Sequence, residues 1–250
     1  MEYLSTLTQS LKPQAWATVG RTLLTKMIAE FLYEEILQPD VIETQGDFTH
    51  YQLSLPEGIA YRFQAKSRLF DSYQVRPDSL RRWDGSQWAA ATNPLQFVLD
   101  IHTAVGMTAE TTAHLIKELS NTLLADAHIQ TAKAARQTDL TATDYAHLEG
   151  EMEGHPWITF NKGRIGFGYD DYLKHAPERQ EPVNLFWIAV RRDRAQFQCI
   201  STLAYDTLIR EELGADFAQF TAVLEARSLD PANYYFCPVQ DWQWHNTLIP

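Results

Sequence analysis

The sequence predicts an α+β fold: a helical N-terminal portion with a small antiparallel sheet, then a second portion of antiparallel sheet and helices. Three observations predict it. Apolar side chains recur at helical spacing after residue 21 and again across 93–144. Residues 51–63 alternate apolar and polar on either side of Pro56-Glu57-Gly58. Strand-like and helical segments come in blocks, without the regular βαβ alternation of a doubly wound sheet.

Taken in order, residues 1–20 are weakly patterned, and Pro13 is expected to break any early helix. Leu24, Met27, Ile28, Phe31 and Leu32 then follow helical spacing up to Pro39. Tyr51, Leu53 and Leu55 pair with Ile59, Tyr61 and Phe63 as a hairpin, with a third strand expected over 70–75. Asp84-Gly85 marks a turn between Trp83 and Trp88. From Asn93-Pro94 the chain reads as helix, with Leu95, Val98, Leu99 and His102 on one face. Thr108 is the expected cap of the next helix, with Glu110 in its first turn. Ile116, Leu119, Leu123 and Ala127 form its stripe, and Lys133 and Arg136 its basic end. His102, His114, His128 and His147 lack metal-ligand spacing. A short acidic helix is expected over 141–153.

Leu185–Val190 is a continuous apolar run, expected as a buried strand that pairs with 196–200 across the charged turn 191–194. Two helices follow, near 206–213 and from Asp216, the expected N-cap, with Phe217, Phe220 and Leu224 inward. Tyr234-Tyr235-Phe236 reads as a short strand. A boundary near 145–152 divides the chain into 1–150 and 151–250. The end at Leu248-Ile249-Pro250 lacks a terminal helix or cap and reads as a truncation.

The chain has 250 residues, enough for one large or two small cores. Its net charge of −11 argues against nucleic acid as the main partner. Cys199 and Cys237 show no CxxC spacing, so neither a disulfide framework nor a zinc site is indicated. No signal peptide and no membrane-length apolar stretch is seen, so the cytoplasm is the expected compartment, with no membrane partner.

Against that acidic background, residues 154–167 gather Gly154, Gly163 and Gly166 with His155, Asn161, Lys162 and Arg164. Glycines admit close backbone approach, and exposed N–H groups beside two cations suit a phosphate or carboxylate. If the segment is extended, Lys162 and Arg164, two apart, face the same way. The order G-x-x-x-x-G-K-[ST] is absent. From spacing alone, an anion-binding loop and a solvated basic turn are both open.

GHPWITFNKGRIGFG resembles the "GHP…NKGR.G" signature of the IucA/IucC family of NRPS-independent siderophore synthetases. Residues 172–177 followed by Leu185–Arg192 look like that family's "APE…LHWLAVKR" run. Pro238–Trp244 is similar to its "PVHPWQW" landmark. The resemblance spans the chain, but the family is about twice as long, so these residues would be its N-terminal half: a thumb-like region, then the start of a fingers-like nucleotide-binding region.

The resemblance implies an ATP-dependent acid–amine ligase. A carboxylate, such as a citrate derivative or a succinyl-hydroxamate acid, is adenylated and condensed with an amine or hydroxylamine. ATP and Mg²⁺ are the implied cofactors, and a homodimer the implied assembly. His155, Asn161, Lys162, Gly163 and Arg164 match the ATP- or anion-binding positions, while His155 can equally hold the loop together. Gln240-Asp241 replaces the family's His-Pro; glutamine can donate a hydrogen bond but shuttles no proton at neutral pH. Trp242, Gln243 and Trp244 complete that motif, the tryptophans as packing. The magnesium carboxylates and the adenylate-contact motif fall beyond residue 250, so this piece alone is expected to be inactive, and no catalytic residue is named. The alternatives are a non-catalytic ligand-binding or interaction module that keeps the fold, and an unrelated acidic domain with a basic turn.

Overall fold

The computed structural model describes residues 8, 10–135, 139–141, 144–152, 154–155, 157–180 and 182–249. Arg136 and Glu153, on which two of the sequence expectations fall, lie outside them. The chain forms two compact units, Met1–Gln180 and Glu181–Pro250.

In the first unit, helix α1 runs Pro13–Tyr33. Pro13 opens this helix, and the helical residues 8 and 10 before it are parted from it at 11–12, so the expected break is there too. The first-turn N–H has no intrahelical partner, and the ring's fixed φ suits that position. Strands β1 (Asp40–Gln45), β2 (Phe48–Ser54), β3 (Ala60–Ser67), β4 (Tyr73–Val75), β5 (Arg81–Trp83) and β6 (Trp88–Ala90) make one antiparallel sheet. Its order is β1-β2-β3-β5-β6, with β4 also on β3. The 51–63 hairpin is as expected. β1 escaped sequence reading because all six of its residues are exposed, so no alternation marks it. The third strand begins at Tyr73; Phe70 sits in a preceding turn at φ 58°.

Helices α2 (Pro94–Ile101) and α3 (Ala109–Ala135) follow. Asn93 caps α2, accepting from the N–H groups of Leu95 and Gln96. Thr108 Oγ1 accepts from Thr111 N–H at 3.1 Å, the expected cap of α3. The inward face of α2 is Phe97, Val98 and Ile101, and Leu99 points out. One cluster joins α1 (Leu24, Met27, Ile28), the sheet (Leu53, Tyr61, Phe63), α2 and the Leu119-Leu123-Ala127 stripe of α3. Within it, Asp100 accepts from Tyr61 Oη at 2.6 Å and from Arg82 at 2.6 and 3.0 Å. Burial pushes Asp100 up, but these bonds outweigh it and hold the carboxyl below its ordinary value.

Helices α4 (Tyr145–Glu151) and α5 (Tyr169–His175) complete this unit. Tyr172, Leu173 and Ala176 pack on Ala125 of α3. The chain therefore stays with α3 until Gln180, and the contact division falls beyond the expected 145–152.

In the second unit, β7 (Leu185–Arg191) pairs antiparallel with β8 (Tyr234–Gln240), not with 196–200. Between them lie α6 (Tyr205–Leu213) and α7 (Phe217–Glu225). Ile209, Leu224 and Phe236 form the cluster, with Trp187, Phe217 and Phe220 against it. β7 is half-buried or exposed along its length rather than buried, because within this unit the helices cover one face of a two-stranded ribbon. Asp216 does not cap α7 through its side chain; its Oδ1 accepts from the Gln219 amide instead. Cys199 and Cys237 are both free thiols.

Candidate functional site

The described residues of 154–167 form successive turns, not a strand. Gly163 N–H closes on Phe160 O, and Phe167 N–H on Arg164 O, both at 2.9 Å. Arg164 holds a left-handed backbone, φ 43°. Lys162 and Arg164 therefore do not share a face of an extended segment, because one turn closes over 160–163 and the next over 164–167.

Each cation instead meets a carboxylate. Lys162 Nζ donates to Asp126 Oδ1 of α3 at 3.1 Å, with its side chain 3% exposed. Arg164 Nη2 donates to Glu178 Oε1 at 2.6 Å, and Glu178 is itself buried. The guanidinium also lies 5.8 Å from the Tyr172 ring centre. Arg164 Nη1 and Glu178 Oε2 are buried with no hydrogen-bond partner among the described residues. A buried charged donor without an acceptor is costly, and it is the kind of group that an added oxyanion satisfies.

The loop is docked by groups the sequence did not flag. Asn121 of α3 donates to Gly163 O at 2.7 Å. A Cβ on Gly163 would stand 2.8 Å from Glu118 Cβ, so only glycine lets the loop lie this close to α3. Lys26 of α1 donates to the backbone oxygens of His155 and Ile158. Carbonyl partners such as these are ones that no side-chain pattern advertises. Asp126 did leave a signal: it falls seven residues after Leu119 on the apolar stripe, where a carboxylate needs a cation. Gly154, at φ 92°, lets Asn161 come close, and Asn161 Nδ2 donates to His155 O at 3.2 Å.

His155 Nδ1 accepts from Trp157 N–H at 3.2 Å, which puts the proton of the neutral ring on Nε2 as an outward donor. A cleft of about 480 Å³ opens beside the loop, with Lys26, Gln74, Asp126, His155 and Asn161 in its wall. That size is ordinary for a small-molecule pocket. Glu30, on α1 near Lys26, is pushed up by burial and then by Glu34. His128, on α3 near Tyr172, is pushed down to about 4 by burial and then by Arg179.

In the second unit, Gln240 Oε1 accepts from Trp242 N–H at 2.9 Å and so caps the turn Asp241–Gln243. Trp242 and Trp244 are half-buried, and Trp244 stacks on Phe186 at 5.0 Å and 12°. Gln243 is exposed. The loop falls in the first unit and this motif in the second.

The IucA/IucC family model matches residues 144–250. The rhizobactin siderophore biosynthesis protein RhbF of Rhizobium meliloti is 39% identical over 238 residues, covering 95% of this chain and 39% of that protein. The chain belongs to the IucA/IucC family. Aerobactin synthetase IucC from a hypervirulent Klebsiella pneumoniae pathotype has a similar structure: TM-score 0.76, 30% identity, over 94% of this chain and 42% of that one. ATP-bound aerobactin synthetase IucA from the same pathotype shares the fold at TM-score 0.61 and 17% identity, over 93% and 40%. The chain thus spans about two fifths of the length of the curated relatives it matches. Both the cationic loop and Gln240–Trp244 lie inside the span that the IucA/IucC model matches. At Gln240, where the family signature carries histidine, the side chain here serves as an acceptor for a backbone N–H.

Proposed function

We propose that the chain is the N-terminal portion of an ATP-dependent siderophore synthetase that adenylates a carboxylate and condenses it with an amine or hydroxylamine. The acid is a citrate derivative or a succinyl-hydroxamate acid. The observation that carries the reading is Arg164. Its Nη1 is buried with no acceptor among the described residues, in a glycine-flanked loop of a chain 39% identical to a siderophore biosynthesis protein.

ATP would supply AMP to activate the acid, with pyrophosphate leaving and the nucleophile then displacing AMP. The chain's own part is to hold the nucleotide's anionic tail. Arg164 offers Nη1, a charged donor already desolvated, where an electrostatic contact is strongest. His155 Nε2–H is a second donor. Asn161 and Gly163 keep the loop backbone in place. Lys162 contributes its field through the pair with Asp126, and direct contact requires that it exchange that carboxylate for phosphate. Mg²⁺ would be bound by residues beyond these, and the 250-residue chain alone is expected to turn nothing over.

The experiment is product analysis on the full-length protein with ATP, Mg²⁺, candidate acids and hydroxylamine as trap. AMP and an acyl hydroxamate in equal amounts are expected. ADP and phosphate as products, or no acid-dependent turnover, would contradict the reading.

A further inference from the structure

The outer face of the six-stranded sheet carries a second cleft, of about 600 Å³. It shares no lining residue with the cleft beside the loop. On β3, Tyr61, Phe63 and Ala65 face the core, so Arg62 and Gln64 face away. Arg62 stands directly opposite Arg81 of β5. Like charges at such positions destabilise a sheet. Arg76 lines the same cleft.

None of these three guanidiniums forms an ion pair among the described residues. Neutral groups hold each in place. Arg62 donates to the Gln52 amide oxygen at 2.8 Å and lies 4.4 Å from the Trp88 ring centre. Arg76 donates to the Gln64 amide oxygen at 2.8 Å and lies over Phe48. Arg81 donates to the backbone oxygens of Asp78 and Leu80 at 2.9 Å. The carboxylate in the lining, Asp78, is tied to Arg21 at 2.8 Å, and Glu43 stands 3.9 Å from His50. In a chain of net charge −11, three arginines line this one cleft with no ion pair among the described residues.

We propose that this cleft binds a small multivalent oxyanion, one bearing carboxylate or phosphate groups, through Arg62, Arg76 and Arg81. Guanidinium forks match both groups bidentately. The anion would relieve the Arg62–Arg81 repulsion, so folding and binding favour the same arrangement. His50 and Gln64, 3.1 Å apart in the wall, add further hydrogen-bonding groups. The inference does not rest on the synthetase reading.

The test is titration calorimetry on the full-length protein with citrate, inorganic pyrophosphate and poly-glutamate, at matched chloride. Saturable binding of citrate or pyrophosphate that persists in R164Q/E178Q is expected, weakened about tenfold or more by Arg81→Gln and lost when R62Q/R76Q/R81Q is added to that variant. That persistence separates it from the loop. A melting experiment keeps the proposal falsifiable should the triple variant fold poorly. In chloride, Arg81→Gln should leave Tm unchanged or raise it, because a repulsion is removed. It should also erase the rise that citrate or pyrophosphate gives the natural chain. No saturable binding, binding indifferent to Arg81, or binding of poly-glutamate alone would overturn the proposal.

Discussion

Lys162 Nζ lies 3.1 Å from Asp126 Oδ1, with 3% of the lysine side chain exposed. The first cation of the loop is thus folded against α3 rather than offered to solvent. A buried ammonium needs a partner, and the partner fixes where the loop can sit. This pair and the Arg164–Glu178 pair make the cationic loop a docked element of the first unit.

Lys162→Met removes the ion pair with Asp126, a carboxylate whose side chain is only 26% exposed. The expected loss is about 2–3 kcal/mol, at or below the low end for broken buried pairs because water reaches Asp126 in part. Lys162→Met with Asp126→Leu should recover most of it, since an apolar pair of similar volume is often neutral. Denaturant unfolding of the two variants checks this. Equal losses would mean that Asp126 is not the compensating charge.

Gly163→Ala places a methyl group 2.8 Å from Glu118 Cβ and 3.1 Å from Phe160 O. The loop must lift from α3, which strains the Asn121–Gly163 bond. A loss of about 1–3 kcal/mol is expected, the usual range for an overpacked contact. Faster amide exchange at residues 160–164 should accompany it. A stability equal to that of the natural chain would show the loop to be less tightly docked than described.

His128 sets a pH dependence. Its folded value lies near 4, below the ordinary value of 6.5, so the unfolded chain binds the extra proton first as pH falls. The associated stability is present above about pH 6.5 and is lost between there and about pH 4, by roughly 1 kcal/mol per unit in mid-window. His128→Gln should flatten the stability profile in that window. An unchanged slope would place the titration elsewhere.

Gln240→Ala removes the acceptor for Trp242 N–H. A cap of this kind is worth about 0.5–2 kcal/mol, and a turn this short places it at the low end. Tryptophan fluorescence should report a looser Trp242–Trp244 segment before global unfolding. Gln240→Asn tests whether a shorter amide still reaches.

The parts of the fold that were legible are those where burial follows a period. The α3 stripe, the 51–63 hairpin and the Thr108 cap each state their partners locally. β1 was not legible, since an exposed strand has no alternation to read. The pairing of β7 with β8 was not either, because an apolar run says that it needs a partner without naming which. At the site, the glycines and cations stood out by composition, but their direction did not. Lys162 turns to Asp126 and Arg164 to Glu178 because successive turns close over 160–163 and 164–167, with Arg164 left-handed, a backbone choice that side-chain spacing does not record. Lys26 was missed because it binds carbonyls.

The most direct test is acid-dependent ATP–pyrophosphate exchange by the full-length protein, natural chain against R164Q/E178Q. Glu178→Gln keeps that side chain's shape, and Arg164→Gln leaves a shorter neutral amide in place of the desolvated charged donor. A fall of about a hundredfold or more with an unchanged melting profile is predicted, the usual effect of losing one preorganised charge-stabilising contact. Exchange at the natural rate in that variant would contradict the account.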